Sequence, residues 1–247
     1  MPPDRILILG GTRDARELAD MLVASGHSVI TSLAGVTQNP ELPAGEVRRG
    51  GFGGAEGLHA YLRRESVAVV ADATHPFAVR MSANADAACR EAGLPLLRLE
   101  RAPWLATVDD RWLPAASVAQ AAALLPERAR AFITIGRNEI QPFLSREDVS
   151  GLARMIEPPE ITFPPRWTLL LDRPPFTVAY ERLLMTDHAI TWLVTKNAGG
   201  RATEAKLIAA RELGIPVIMV ERPVKPPAQS FATAGELATA VRRLLSP

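Results

Sequence analysis

The feature that most constrains the fold is the alternation of short apolar runs with segments of helical periodicity. The apolar runs are predicted strands at 5–9, 28–32, 67–71 and 95–99, and the segments between them are predicted helices at 14–25, 55–65 and 77–92. Strands that alternate with helices are typical of parallel sheets covered on both faces. The sequence therefore predicts an α/β fold with mainly parallel sheets.

The same alternation restarts after residue 100. A second series of strands (RAFITIG from 130, then 190–195 and 216–220) is interleaved with predicted helices at 117–125, 202–213 and 233–245. We expect two α/β domains, 1–112 and 113–247. The segment 157–176 is rich in proline, which lacks an amide hydrogen and clashes with a preceding helical turn, so it is predicted to be a loop or an edge strand.

Composition narrows the class of protein. Lys and Arg total 28 against 27 for Asp and Glu, a balance that argues against a nucleic-acid-coating protein. The only cysteine, Cys89, allows no internal disulfide, and no Cys/His metal cluster is present in the sequence. The start of the chain lacks signal-peptide features and no apolar run is long enough to span a membrane, so we expect a cytoplasmic protein.

The turn after the first strand is a candidate phosphate site. Gly10, Gly11, Thr12 and Arg13 join a buried strand to a helix, and helix N-termini attract anions through their amides and dipole. The spacing departs from G-x-G-x-x-G, because threonine replaces the middle glycine and alanine the third. We favour cofactor binding over the alternative, an ordinary glycine turn that precedes a capped helix.

Two further segments point to the same cofactor. The second strand ends in Ser32 and Leu33, without the acid that holds the ribose hydroxyls of NAD, so NADPH is favoured over NADH, with Arg13 nearby. Gly51, Phe52 and Gly53 lie in a glycine-rich stretch before a helix, where the backbone can approach a ligand closely. The alternative for that stretch is a mobile surface loop.

A polar turn follows the strand at 67–71. Thr74 and His75 stand at the carboxyl end of this strand, which is the ligand edge of an open α/β sheet. His75 could donate to a phosphate or transfer a proton there. The alternative, equally weighted, is a structural turn with Pro76 at the first helical position.

The second half carries its own candidate anion sites. Arg137 follows a strand that ends in glycine, and Lys196 and Asn197 follow the strand at 190–195. The order G-x-x-x-x-G-K-[ST] of a Walker A loop is absent. Lys206 lies within the next helix, where a structural role or an exposed ion pair is expected.

The segments ILILGGTRDARELA, GGFGG, DATHPFA, TIGRNE and VTKNAGGRATEAKLIAARELGIPVIMVERP together resemble the precorrin-6A reductase family of cobalamin biosynthesis. The resemblance implies two Rossmann-like domains with the active site in the cleft between them: an N-terminal NADPH-binding domain and a C-terminal domain that contributes to substrate binding. It also implies NADPH-dependent reduction of the precorrin-6A macrocycle, with hydride transferred to C19 and a proton to C18.

The resemblance assigns roles to the candidate residues. The cofactor would contact Gly10 to Arg13, Ser32 and Leu33, Gly51 to Gly53, Thr74 and His75. Asp14 and Arg16 would assist charge or proton handling at the macrocycle. Substrate carboxylates would pair with Arg137, Lys196 and Asn197, Lys196 also being a candidate catalytic residue. No metal ligand is expected, and the sequence specifies neither the oligomeric state nor whether the substrate carries cobalt.

Two other functions compete with this one. The first is a different NADP-dependent oxidoreductase or epimerase, but neither Tyr61 nor Tyr180 is followed four residues later by the lysine of a short-chain enzyme. The second is a non-catalytic NADPH sensor, which would bind the dinucleotide without consuming it.

Overall fold

A computed structural model describes residues 4–33 and 42–245. The strands are β1 Arg5–Leu9, β2 Ser28–Leu33, β3 Glu46–Arg49, β4 Val67–Asp72, β5 Leu96–Leu99, β6 Trp112–Ala115, β7 Arg130–Thr134, β8 Ser150–Met155, β9 Trp167–Leu171, β10 Trp192–Lys196, β11 Val217–Val220 and β12 Gln229–Phe231. The helices are α1 Arg13–Ala24, α2 Gly54–Arg64, α3 Val79–Ala92, α4 Val118–Leu124, α5 Gln141–Leu144, α6 Val178–Asp187, α7 Ala205–Glu212 and α8 Ala234–Leu245.

The chain forms two compact units whose limits differ from the predicted domains 1–112 and 113–247. Unit 1 comprises Met1–Ala102 together with Pro223–Pro247, and unit 2 is the intervening Pro103–Arg222. The end of the chain belongs to unit 1 because β12 pairs with β5 and α8 packs against α1 and β5. In the predicted domains this last segment, of which only the helix was expected, was assigned to the second domain by its position in the sequence alone.

Unit 1 contains a six-stranded parallel sheet in the order β3-β2-β1-β4-β5-β12. The chain starts in the centre at β1, extends to one edge through β2 and β3, and then returns to build the other half from β4 onward. This is the strand order of dinucleotide-binding folds, with β12 in the sixth place. The switch point of the topology lies between β1 and β4.

Successive side chains of β1 enter two different cores. Ile6 and Ile8 pack with α1 and α8 on one face of the sheet, whereas Leu7 and Leu9 pack with α2 and α3 on the other. Side chains alternate between faces with a period of two, so a strand that is apolar at every position must be covered twice. The continuous apolar run at the start of the sequence follows from this arrangement.

Unit 2 contains a second six-stranded parallel sheet, in the order β9-β8-β7-β10-β11-β6. Its central strands β7 and β10 correspond in position to β1 and β4 of unit 1. The sixth place is taken by β6, which precedes the other strands in sequence, whereas in unit 1 it is taken by β12, which follows them. The expected likeness between the two halves is thus confirmed at the level of strand order.

Most predicted elements are present, with ends shifted by a few residues. The proline-rich segment contributes β9 at the edge of its sheet, where missing amide hydrogens are tolerated. Within residues 4–33 and 42–245, six elements had no predicted range: β3, β6, β8, β12, α5 and α6. None of the helices in the described part of the chain combines the length and apolar character needed to cross a bilayer.

Candidate functional site

The candidate site of unit 1 lies where β1 and β4 end side by side. Ligands of open α/β sheets bind outside the carboxyl ends of the strands, at the point where the strand order reverses. The turn Gly10–Arg13 follows β1, and the turn Asp72–His75 follows β4. The fold therefore brings two segments singled out in the sequence to the same edge of one sheet.

Two glycines shape the turn after β1 for different steric reasons. A Cβ on Gly10 would lie 2.8 Å from Cγ2 of Thr31, so the close approach of β1 and β2 requires glycine there. Gly11 has a φ of +104° and open space around the position of a Cβ. An exposed backbone with a left-handed conformation next to a helix start is suited to a phosphate group.

Thr12 connects the two turns. Its Oγ1 accepts a hydrogen bond of 3.0 Å from the amide of Ala15, which caps α1, and donates one of 3.0 Å to the carbonyl of Ala73. The hydroxyl thus satisfies one exposed amide of α1 and fixes the turn after β4 against it. Arg13, the first residue of α1, is exposed at this edge.

A buried ionic network lies beneath the turn after β4. The Asp72 carboxylate accepts hydrogen bonds from Thr74 Oγ1 at 2.7 Å, Ser82 Oγ at 2.7 Å and Arg98 Nε at 3.0 Å. Burial alone would raise the pKa of Asp72, but these bonds and the charge of Lys225 outweigh it and lower that pKa. Asp72 is therefore a fixed anion that orients Thr74.

Arg98 and the role of Asp72 were not predicted from the sequence. Arg98 is an arginine within the apolar strand β5, and its side chain is only 3% exposed. A buried charge needs a partner, so a cation in an apolar run is itself a signal that an anion lies opposite.

His75 lies on the outside of this turn. Its side chain is exposed, and its Nδ1 accepts a hydrogen bond from the amide of Phe77 at 3.3 Å. Its carbonyl accepts a bond of 3.4 Å from Lys225 Nζ, in the segment that leads to β12. Because its ring lies at the edge of the sheet, His75 is placed where a ligand could reach it.

A cation that was not predicted from the sequence lies beside the end of β2. Ser32 and Leu33 are both buried, and the Ser32 hydroxyl accepts a hydrogen bond of 2.9 Å from Arg48 Nη1. Arg48 comes from β3, whose residues pair in register with those of β2. Arg48 was not recognised from the sequence because β3, with the sequence EVRR, is a short, charged strand without an apolar pattern.

The glycine-rich stretch between β3 and α2 is ordered by the same arginine. Arg48 donates hydrogen bonds of 2.9 Å to the carbonyl of Gly50 and 3.0 Å to that of Gly51. Gly53, at the N-cap of α2, adopts the left-handed conformation with a φ of 83°. The contact of this stretch with a cofactor stays a prediction, as does the alternative of a mobile surface loop.

The two candidate proton or charge carriers of α1 differ in their surroundings. Asp14 Oδ2 pairs with Arg101 Nη1 at 2.5 Å, and both side chains are partly exposed. Arg16, one half-turn further along the helix, is partly buried. Asp14 is thus held as an ion pair at the start of α1.

The candidate site of unit 2 occupies the equivalent edge of the second sheet. Lys196, the last residue of β10, is buried, and its ammonium group pairs with the carboxylate of Glu139 after β7. The ion pair connects the carboxyl ends of the two central strands. Lys196 was among the residues predicted from the sequence, but its partner Glu139 was not.

Arg137 lies at the same edge, in a single 3-10 turn after β7. Its Nη1 donates to the carbonyl of Pro158 at 3.3 Å and lies 3.4 Å from Oε2 of Glu157, both in the proline-rich segment. An open pocket adjoins it, with a lining that also includes Asn138, Gln141 and residues 159–161. The guanidinium of Arg137 therefore stands at a surface depression of unit 2.

Asn197 makes contacts that differ from the predicted one. Its Oδ1 accepts a hydrogen bond of 2.8 Å from the Trp104 amide, and its Nδ2 donates one of 3.0 Å to the Trp104 carbonyl. Both ends of the carboxamide hold the backbone of a neighbouring segment. In this arrangement Asn197 positions Trp104, and binding of a substrate carboxylate stays a prediction.

Lys206 is buried instead of forming the exposed ion pair considered above. Its Nζ donates to the carbonyl of Thr203 at 2.6 Å and lies 4.9 Å from the centre of the Trp104 ring. Burial lowers its pKa to about 7. The nearby ions Arg154 and Glu181 form a bidentate buried pair, with bonds of 3.1 and 2.8 Å.

Comparison with known proteins gives a consistent relationship over nearly the whole chain. A family model described as precorrin-6x reductase CbiJ/CobK matches residues 5–242. A precorrin-6A reductase of Rhodococcus erythropolis is 48% identical over 239 residues, covering 96% of either chain. A precorrin-6A reductase of Rhodobacter capsulatus is 46% identical over 231 residues, covering 93% of this chain and 92% of that one.

A more distant relative and a solved structure agree with this. A cobalt-precorrin-6A reductase of Priestia megaterium is 31% identical over 232 residues, covering 88% of this chain and 90% of that one. The solved structure of a CobK precorrin-6A reductase has a TM-score of 0.92 and 44% identity, and covers 98% of this chain and 97% of that one.

Proposed function

The chain belongs to the precorrin-6x reductase family, and from this membership we propose that it reduces precorrin-6A to precorrin-6B with NADPH in cobalamin biosynthesis. The reaction adds a hydride to C19 and a proton to C18 of the macrocycle, with NADPH as the hydride donor when bound. The observation that carries the proposal is the switch point of unit 1, where Gly10–Thr12 and Thr74 meet at one edge of a dinucleotide-type sheet.

The residues at that edge fit a nicotinamide dinucleotide. Gly11 leaves open space beside the start of α1, and the amides of the first helical turn can donate to a pyrophosphate. Thr12 and Asp72 hold the two turns in place through hydrogen bonds. Preorganised donors need no rearrangement when the ligand arrives, which favours binding.

The absence of an acid at the end of β2 supports NADPH. Enzymes that use NAD place an Asp or Glu there to accept from the ribose hydroxyls. Ser32 and Leu33 are uncharged, so neither of these two residues places a carboxylate that would repel the additional phosphate of NADPH.

The substrate would be recognised through its carboxylates. Arg137 and Lys196 provide cations at the ligand edge of unit 2, and a guanidinium can pair with a carboxylate through two parallel hydrogen bonds. Asn197 would contribute through the segment that it positions. The two relatives named precorrin-6A reductase are 48% and 46% identical to this chain, whereas the relative named cobalt-precorrin-6A reductase is 31% identical. The higher identity to the first two favours precorrin-6A as the substrate.

The protein's own part in the reaction is positioning and control of charge. Holding two reactants in a productive geometry can lower a barrier by roughly 7–11 kcal/mol. Asp14, Arg16 and Lys196 are the candidates for charge or proton handling near the macrocycle. A proton delivered by a positioned side chain typically contributes a further factor of about 10² to 10⁴.

A spectroscopic assay tests the proposal. Purified protein is mixed with NADPH and precorrin-6A, and the absorbance of NADPH is followed together with the bands of the tetrapyrrole. We expect both to change with a stoichiometry of one. Binding of NADPH without consumption would support a sensor, and consumption with a different carbonyl or sugar substrate would support another oxidoreductase.

A further inference from the structure

Arg48 is placed beside the end of β2 by the pairing of two strands. It lies opposite Ser32 in the register of β2 and β3, and its Nη1 donates to the Ser32 hydroxyl at 2.9 Å. In the strand order of unit 1, the end of the second strand is where the adenosine ribose of a dinucleotide lies. Arg48 therefore brings a permanent positive charge to the part of the site that distinguishes NADPH from NADH.

The guanidinium of Arg48 is held in a fixed orientation. Its Cζ lies 3.9 Å from the centre of the Phe52 ring and 5.0 Å from that of Tyr61. These two rings also contact each other edge to face, with centroids 5.1 Å apart. An arginine stacked on aromatic rings loses little further freedom when it binds an anion.

Arg48 also keeps donors for a ligand. Within the described residues, its hydrogen bonds to Ser32, Gly50 and Gly51 use three N–H groups. A guanidinium has five, so two are left, and such donors are suited to phosphate oxygens. Arg13, to which the sequence analysis gave the neighbouring charge, instead opens α1 at the end of β1, the pyrophosphate side of the site.

Resting on the proposed use of NADPH, we propose that Arg48 is the residue that selects NADPH over NADH, by pairing with the 2′-phosphate of its adenosine. The Ser32 hydroxyl and the rings of Phe52 and Tyr61 orient the guanidinium for this contact. The same side chain fixes the glycine-rich stretch through the carbonyls of Gly50 and Gly51, so that recognition of the phosphate is coupled to the shape of the loop.

Calorimetric titration of the full-length protein with two probes tests this. The probe 2′,5′-ADP carries the distinguishing phosphate, and 5′-AMP lacks it. We expect the wild type to bind 2′,5′-ADP more tightly than 5′-AMP. Arg48→Gln should weaken binding of 2′,5′-ADP on the order of tenfold to a hundredfold. Binding of 5′-AMP should weaken by a clearly smaller factor, because both probes lose the ordered glycine-rich stretch but only 2′,5′-ADP also loses the phosphate contact.

Two further variants make the comparison specific. Arg48→Lys keeps the charge without the planar fork and should lie between the wild type and Arg48→Gln. Arg64→Gln is the matched control, because Arg64 also lies 5.0 Å from the Tyr61 ring but pairs with Glu65, the residue that follows α2. It should retain the full preference for 2′,5′-ADP. Urea unfolding of each variant shows whether the fold is kept.

The outcomes separate this inference from the proposed function. Equal weakening of both probes by Arg48→Gln would mean that Arg48 only shapes the loop, and loss of the preference in Arg13→Gln instead would assign the phosphate to Arg13. Either result overturns the role of Arg48 and leaves the proposed use of NADPH intact. A wild type that shows no preference for 2′,5′-ADP would overturn the choice of cofactor itself.

Discussion

At the scale of single residues, Thr12 combines a local and a long-range contact. It caps α1 and donates to the Ala73 carbonyl, so Thr12→Ala should cost about 1–3 kcal/mol of unfolding free energy, measured in urea. NADPH binding should weaken as well, since the two turns are no longer joined. Ser117→Ala removes a similar cap from α4 in unit 2 and should cost about 1 kcal/mol without an effect on NADPH.

Lys206 should make stability depend on pH. Its pKa is about 7 in the folded protein and about 10.4 in an unfolded chain, so between these values the unfolded state binds more protons. The difference in the free energy of unfolding, wild type minus Lys206→Met, should therefore rise with pH. The rise should be up to about 1.4 kcal/mol per pH unit between pH 7 and pH 9. Urea unfolding of both proteins at several pH values measures this, and parallel curves would contradict it.

Lys196 should affect binding of the tetrapyrrole more than binding of NADPH. We expect Lys196→Ala to raise the KM for precorrin-6A on the order of tenfold, the effect of losing one charge-assisted hydrogen bond, with the Kd for NADPH within about twofold. Glu139→Gln removes the partner but keeps the cation, and serves as the comparison. Full turnover of Lys196→Ala at low substrate concentration would exclude the assigned role.

The sequence predicted where several candidate residues lie in the fold, but not which contacts hold them in place. Gly10, Thr12 and Thr74 could be placed at a sheet edge because strand ends and helix starts have local signals. The contacts that fix them come from distant positions: Arg98 is 26 residues from Asp72, and Trp104 is 93 residues from Asn197. Such pairs form only through tertiary folding, so periodicity and motifs could not reveal them.

At the scale of elements, α8 is a structural part of unit 1. Leu237 is completely buried in the core that contains Ile6, Ile8 and Leu18. Leu237→Ala should lower the unfolding free energy by about 2–5 kcal/mol, the range for a buried leucine. Leu244→Ala, at a position of the same helix that is 51% exposed, should change it by less than about 0.5 kcal/mol.

The elements that sequence patterns missed are those whose patterns are weak for a physical reason. The strand β12 has three residues, and β3 is mostly charged. In β8, a glycine and the buried Arg154 interrupt the apolar run: a Cβ on Gly151 would lie 2.0 Å from the carbonyl oxygen of Ala131, and Arg154 is compensated by Glu181. Strong apolar strands such as β1, β4 and β10 were predicted because burial on both faces keeps their central positions apolar and confines polar residues to the strand ends.

At the scale of the whole molecule, the two units differ in how the chain supplies them. Unit 2 is one continuous segment with a complete sheet, whereas unit 1 needs both ends of the sequence. A fragment of residues 103–222 should unfold cooperatively in urea. A fragment of residues 1–102 should not do so until a peptide of residues 223–247 is added, because it lacks β12 and α8; cooperative unfolding without the peptide would contradict this.

The general architecture could be predicted, but the limits of the units could not. Alternating strands and helices specify parallel sheets covered on both faces. They do not specify which edge a late strand joins, because that choice depends on packing such as that of α8 on α1. The segment from Pro223 onward was therefore assigned to its sequence neighbours instead of its spatial ones.

The position of β12 has a consequence for synthesis of the protein in the cell. A ribosome releases the chain from its N-terminus, and continuous domains can fold as they emerge. Unit 2 meets that condition, but unit 1 has to wait with an open sheet edge beside β5 until α8 has left the exit tunnel. We therefore expect a nascent chain to complete the sheet of unit 1 only after the whole segment of unit 2 has been synthesised.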